Sequence, residues 1–177
     1  MYKLPETNEY PPYYSTYIKL VPEGDLVDLL TQQQIGMNND YRKLTEKQAV
    51  FRYAPEKWSI KEVIGHITDT ERIMGFRLLS FARGEDQALP GYDENKYVME
   101  ASFNESSLDG LLKSYSAVRL STLHLLKSLH PSDWDKKGNA NNSVISVRAL
   151  AAIIAGHELH HRKIIRDRYF GSDSFTS

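Results

Sequence analysis

The sequence predicts an all-α protein, a single four-helix bundle, and three observations carry the prediction. Four segments repeat their apolar residues with a helical period, each opens at a side-chain cap, and no convincing period-2 run competes with them. The chain has 177 residues, 41% of them hydrophobic, which is the size of one domain and enough to bury a single core without external staples. Segments of roughly 19 to 25 residues would span about 30 to 37 Å, a usual length for such a bundle.

Residues 1–24 read as an N-terminal arm, rich in Pro and Tyr from Tyr10 to Tyr17, and the bundle occupies about 25–170. Pro22-Glu23-Gly24-Asp25 makes a turn with Asp25 as N-cap, and Leu26, Leu29, Leu30, Gln33 and Met37 follow at helical spacing to about Leu44. The second helix has the clearest start. Ser59-Ile60-Lys61-Glu62 is a capping box with Trp58 able to staple against Val63, and the helix runs to Arg83, where Gly84 stops it. The third begins near Ser106 or Ser107 and carries Leu108, Leu111, Leu112, Tyr115, Val118, Thr122, Leu125 and Leu129 before Pro131 halts it. Gly138 and Asn139 to Asn142 mark a turn-rich connection that could be a short hairpin. Ser146 then caps the last helix, which runs to about Phe170 and ends at Gly171. The stretch from Gly84 to Ser102 is longer than bundle connections normally are, which makes it a candidate lid or binding loop.

Composition removes several classes of function. A formal charge of -1 provides no basic field for nucleic acid or an anionic membrane. The chain has no cysteine, so it has no disulfide, no thiolate metal site and no thiol nucleophile of its own. Its start lacks an apolar signal core, and its longest apolar run, Ala149 to Ala155, is far below the ~18 residues of a membrane span. A cytoplasmic protein is expected.

His157-Glu158-Leu159-His160-His161 is the most informative stretch, because it spells H-E-x-x-H within the last helix. At ~100° per residue His157 and His161 stack on one side of the helix and can share one metal ion. Their neighbours at that angle are Leu150, Ile153, Ile154, Ile164 and, at the far end, Arg168, so both rings interrupt a core-facing stripe. Zinc proteases use the same motif with the glutamate as general base, but no further glutamate and no H-x-x-G-x-x-H continuation follows here. A protease is disfavoured. His66, which shares a face of the second helix with Thr70, Ile73 and Arg77, supplies a third imidazole, and three such ligands leave an open coordination position. His124 and His130 read as surface residues, and His160 as a neighbour of the site. Asp69 is a weak candidate to orient a ring or a bound water, and Glu158 a weak candidate for general base. Arg77 and Arg168, on the histidine faces, are the candidates to meet an anionic ligand.

Four blocks in order, Trp58 to His66, Thr70-Glu71-Arg72 with Arg77, Leu89-Pro90-Gly91-Tyr92-Asp93, and Ala155 to His161, closely resemble the DinB-like (YfiT-like) family. The resemblance covers about Tyr14 to Phe170. It implies an up-down-down-up four-helix bundle with a divalent metal, Zn²⁺ or Ni²⁺ by ligand type, held by His66, His157 and His161. The family includes transferases that use a low-molecular-weight thiol, bacillithiol or mycothiol, together with members regarded as metal-dependent hydrolases. The resemblance therefore implies an enzyme acting on small electrophiles by thiol S-transfer, with hydrolysis or a non-catalytic metal-binding stress-related module as the alternatives. A family tendency to pair, with the Tyr-rich and Pro-rich arm, suggests a homodimer.

Overall fold

The computed structural model describes residues 3–175. Among the described residues seven α-helices follow one another: α1 (Ser15–Ile18), α2 (Leu26–Tyr41), α3 (Glu46–Ala49), α4 (Ile60–Ala82), α5 (Glu94–Glu100), α6 (Leu108–Lys127) and α7 (Val147–Ile164), with a π-helical turn, Ile165–Phe170, continuing α7. The four long ones form the bundle. Each begins at a side chain that accepts a hydrogen bond from a first-turn backbone N–H: Asp25, Ser59, Ser107 and Ser146. Ser59 and Glu62 complete the reciprocal capping box expected from the sequence.

Cross-helix contacts set the directions. Gln33 reaches the carbonyl of Ala155 and Asp40 pairs with Arg162, so α2 and α7 run parallel. Ser59 meets Asn104 just before α6, and Arg72 meets Ser114, so α4 and α6 are also parallel. Arg119 donates to Leu30 while Gln34 reaches Ser116, and His66 lies against His157, so the α2/α6 and α4/α7 pairs are antiparallel. The bundle is up-down-down-up, with α2 diagonal to α4 and α6 diagonal to α7. Because α4 and α6 are parallel neighbours, the chain between them must travel back along the bundle, at ~1.5 Å per residue of a 23-residue helix. That is the reason for the long segment after Gly84. On its way back it pairs Leu89 with Asn139 and Asn141 of the hairpin, passes the α4/α7 seam at Tyr92, and forms α5.

The hairpin is β1 (Lys137–Ala140) against β2 (Ser143–Ser146), turned by Asn141 and Asn142 at φ 51° and 57°. Two left-handed residues match the twist of tight hairpins, and Asn tolerates that conformation. One apolar cluster joins α2, the C-terminal half of α4, α7 and the N-terminal arm through Leu30, Leu78, Phe81, Leu150, Ile154 and Tyr14; a second joins α4, α6 and the π-turn through Ile60, Ile64, Leu112, Tyr115 and Tyr169. The arm is folded onto its own bundle: α1 packs on α7, with Tyr10, Tyr14 and Ile18 buried.

Three differences from the sequence reading have local causes. The first long helix ends at Tyr41 rather than near Leu44, since Leu44 bonds back to Tyr41 in a turn and Thr45 with Gln48 then caps the short α3. The helices α1, α3 and α5 are too short to show a period and were not expected. The last helix widens after Ile164 into i→i+5 bonding, so angular positions extrapolated at 100° per residue fail beyond that point.

Candidate metal centre

The second turn of α4 and the fourth turn of α7 cross with three imidazoles between them. Nε2 of His66 lies 3.0 Å from Nε2 of His157, which lies 3.1 Å from Nε2 of His161. All three potential ligand atoms fall within 4.8 Å of one another. His66 and His157 are buried and His161 is half-buried. An imidazole nitrogen carries one hydrogen or one in-plane lone pair, so Nε2 of His157 can satisfy only one of its two neighbours by hydrogen bonding. A cation at the point of convergence satisfies all three. The donor set fits such an ion, because burial pushes His66 down to about 4 and holds His157 and His161 well below the usual histidine value, reinforced for the last two by neighbouring imidazoles. Neutral imidazoles are the ligating form.

Two glycines let other chain segments close on α4 and α7 beside the triad. A Cβ at Gly156 would lie 2.2 Å from the Tyr17 carbonyl oxygen, so only Gly admits α1 so near to α7. A Cβ at Gly65 would lie 2.5 Å from the Phe103 ring. Tyr17 consequently stands edge-on to His157, ring centroids 5.2 Å apart; from the turn before α4, Trp58 packs at 4.7 Å on His66. Tyr17 was not anticipated as a site residue. The Gly immediately before His157 was the available signal, since a helix-interior Gly costs ~1 kcal/mol against Ala and implies a close approach.

The remaining candidates separate sharply. His124 and His130 are exposed. His160 sits beside the triad, against Tyr17 and His161, without joining the convergence. Asp69, expected near the His66 ring, is turned outward to Arg72 at 2.6 Å. Glu158 is fully buried but faces the other way: Arg119 donates to its Oε2 at 2.7 Å, Tyr115 donates to the same oxygen at 2.7 Å, and Arg162 approaches Oε1 at 3.4 Å. Arg119 also holds Glu71 through two bonds of 2.8 Å, so both carboxylates belong to one ion-pair network between α4, α6 and α7. Arg168, expected on the histidine face, lies in the π-turn, exposed, in a separate surface depression with Thr16 and Lys163; the widened helix has rotated it away.

Arg77 does reach the site. A cavity of about 220 Å³ opens beside His157 and is lined by Tyr14, Tyr17, Thr70, Arg77 and Tyr92 among others. The returning segment forms one wall: Tyr92 shares a 2.9 Å hydroxyl bond with Thr70, and Arg77 donates to the Pro90 carbonyl at 2.7 Å. The long connection is thus a wall of the site, as a binding loop would be.

A family model for the DinB superfamily matches residues 41–165. A protein of Bacillus mycoides (strain KBAB4) named "putative metal-dependent hydrolase" is 24% identical over 157 residues, covering 86% of this chain and 90% of its own. One of Oceanobacillus iheyensis with the same description is 25% identical over 138 residues, 77% of this chain and 76% of its own. Among solved structures, YfiT from Bacillus subtilis, described as a "probable metal-dependent hydrolase with an unusual four-helix bundle topology", superposes with a TM-score of 0.74 at 17% identity, over 85% of this chain and 93% of its own. A mycothiol-dependent maleylpyruvate isomerase superposes with a TM-score of 0.64 at 11% identity, over 82% of this chain and 61% of its own. At these identities the two structures establish the fold.

Proposed function

Because the chain belongs to the DinB superfamily, we infer that it is a divalent-metal-dependent enzyme acting on a small molecule, with the ion held by His66, His157 and His161. The observation that carries this reading is the convergence of three Nε2 atoms that cannot all be satisfied by hydrogen bonds to one another. A zinc or nickel ion held there would supply Lewis acidity, lowering the pKa of a nucleophile or polarising an electrophile. The residues around it bind, orient and exclude water. Trp58 and Tyr17 cover the rings, and the Tyr-lined cavity beside His157 offers the substrate its place.

The nucleophile we favour is an external low-molecular-weight thiol, attacking a small electrophile. Glu158, the candidate base, is committed to Arg119, and Asp69, the candidate to orient a ring or a bound water, is turned to Arg72, so no carboxylate stands ready to activate water. A thiol, with a pKa of about 8.5, needs far less help to ionise than water does. Hydrolysis is the second reading, favoured by the description of the two bacterial relatives and by a three-imidazole donor set of the kind that activates water in zinc enzymes.

The test measures turnover of a haloaromatic or epoxide by the zinc-loaded and nickel-loaded protein with and without bacillithiol, or cysteine at higher concentration. Thiol-dependent acceleration that disappears in His161→Ala supports S-transfer. Metal-dependent cleavage of an ester or amide with every thiol absent, and no thiol effect on the electrophile, replaces it with the hydrolase. Endopeptidase activity is expected in neither case, because Glu158 is locked in its ion pairs.

A further inference from the structure

Three basic side chains are buried among the described residues: Lys61, Arg77 and Arg119. Two of them have carboxylate partners. Lys61 pairs with Glu46 at 2.5 Å, and Arg119 pairs with both Glu71 and Glu158. Arg77, only 3% exposed, has no carboxylate within ion-pair distance among the described residues. Its Nη2 donates to the Pro90 carbonyl at 2.7 Å, its Nη1 meets the Met74 sulfur at 3.8 Å, and its guanidinium stands 6.0 Å from the Tyr92 ring centroid. A carbonyl, a thioether and an aromatic face hold the guanidinium in position without neutralising it. A buried cation in that state is costly to the fold, and the cost is removed when an anion arrives.

The position of Arg77 says where that anion would sit. It follows His66 by three helical turns, so the two residues and the intervening Thr70 share one face of α4. The cavity beside the triad is bounded by His157 at one side and by Arg77 at another, and its volume of about 220 Å³ is below the ~300 to 1,000 Å³ of drug-sized sites. Tyr14, Tyr17 and Tyr92 line the same space, and burial, with the Glu94 charge adding to it at Tyr17 and Tyr92, raises each above the ordinary tyrosine value, so the hydroxyls stay protonated. Glu94 also lines it at the exposed side, and its charge reaches Tyr17 and Tyr92, so the anion is expected at the buried, Arg77 side of the cavity.

We propose that this cavity is a carboxylate subsite, in which Arg77 binds the carboxylate of a small organic acid and the tyrosine hydroxyls complete its hydrogen bonding, so that the acid's other end faces the three histidines. The proposal rests on the metal-enzyme reading for its chemistry, though not for its binding. Guanidinium and carboxylate match as planar, two-pronged partners, which favours a carboxylate over a spherical anion. The acid is either the thiol or the electrophile, since both reactants must lie close to the triad.

Calorimetric titration and thermal shift with matched acid and amide pairs test this: propionate against propionamide, and 3-mercaptopropionate against 3-mercaptopropionamide. Each pair is measured on metal-loaded and on chelator-stripped protein, with metal content determined on the same samples. The wild type is expected to prefer each acid by at least tenfold, with or without metal. Arg77→Gln and Arg77→Met abolish the preference, Arg77→Lys restores part of it, and the Gln and Met variants keep the wild-type Tm or exceed it, because they remove an uncompensated charge. If 3-mercaptopropionate outbinds propionate only when metal is present, the carboxylate belongs to the thiol; equal binding assigns it to the electrophile. Acid and amide binding alike in the wild type, or a preference that survives Arg77→Gln, overturns the proposal. So does a large fall in Tm in both the Gln and Met variants, which would make Arg77 a structural strut. An acid preference in protein that binds no metal would instead defeat the metal reading and leave the subsite standing.

Discussion

Replacing Arg119 by methionine removes the one cation that two buried carboxylates share. In the native protein its Nε and Nη2 bond Glu71 at 2.8 Å each, Nη2 also bonds Glu158 at 2.7 Å, and Nη1 reaches the Leu30 carbonyl at 3.0 Å and Gln33 at 3.2 Å. The side chains of Arg119, Glu71 and Glu158 are 0%, 2% and 0% exposed, so water cannot replace what is lost. Breaking a buried pair from one side leaves uncompensated charge and costs about 3 to 5 kcal/mol. For a domain of this size, where 1 kcal/mol moves Tm by roughly 2 to 4 °C, the expected fall is roughly 6 to 20 °C. Calorimetry or circular dichroism melts of metal-free Arg119→Met at pH 7 give the number directly. Adding Glu71→Gln and Glu158→Gln to the methionine variant should recover much of the loss, since the charges left behind are then gone. A fall of less than 2 °C in the single variant would show that Arg162, already 3.4 Å from Glu158, or entering water takes over the compensation. In that event the network is not what ties α4, α6 and α7 together at the level of the triad.

Further expectations concern the triad and assembly. Elemental analysis should find about one zinc or nickel per chain, lost in His66→Ala, His157→Ala and His161→Ala and retained in His124→Ala and His130→Ala; equal content in all five variants excludes the triad as the site. The metal-free protein should lose stability as pH falls from the unfolded histidine value of about 6.5 toward about 4, because His66 stays neutral in the folded state over that window while the unfolded chain takes up protons. Each such imidazole contributes a slope of about 1.4 kcal/mol per pH unit; flat stability across pH 6.5 to 4.5 would mean that the ring is solvated. Light scattering tests the expected homodimer: a concentration-independent mass near 20.3 kDa rules it out.

The sequence by itself determined the four long helices and the ligand candidates, because both are written in local spacing. Caps at Asp25, Ser59 and Ser146 are read from local patterns, the third was narrowed to Ser106 or Ser107, and the pairing of His157 with His161 needs only the helical period. His66 was legible as a third candidate from the face it shares with Thr70 and Arg77 on the second helix, whereas the up-down-down-up order came through the family resemblance. Tertiary structure decided the rest. Whether Glu158 serves as a base or as an ion-pair member depends on Arg119, 39 positions away, and Asp69 turned to Arg72 rather than to His66. Arg77 and Arg168 looked alike by angle, yet one lines a cavity and the other lies on the surface, since the change to π-helical bonding after Ile164 alters the step per residue. A side chain's direction is a property of its own helix; what it meets there is set by which neighbour the packing brings across, and only the assembled bundle contains that information.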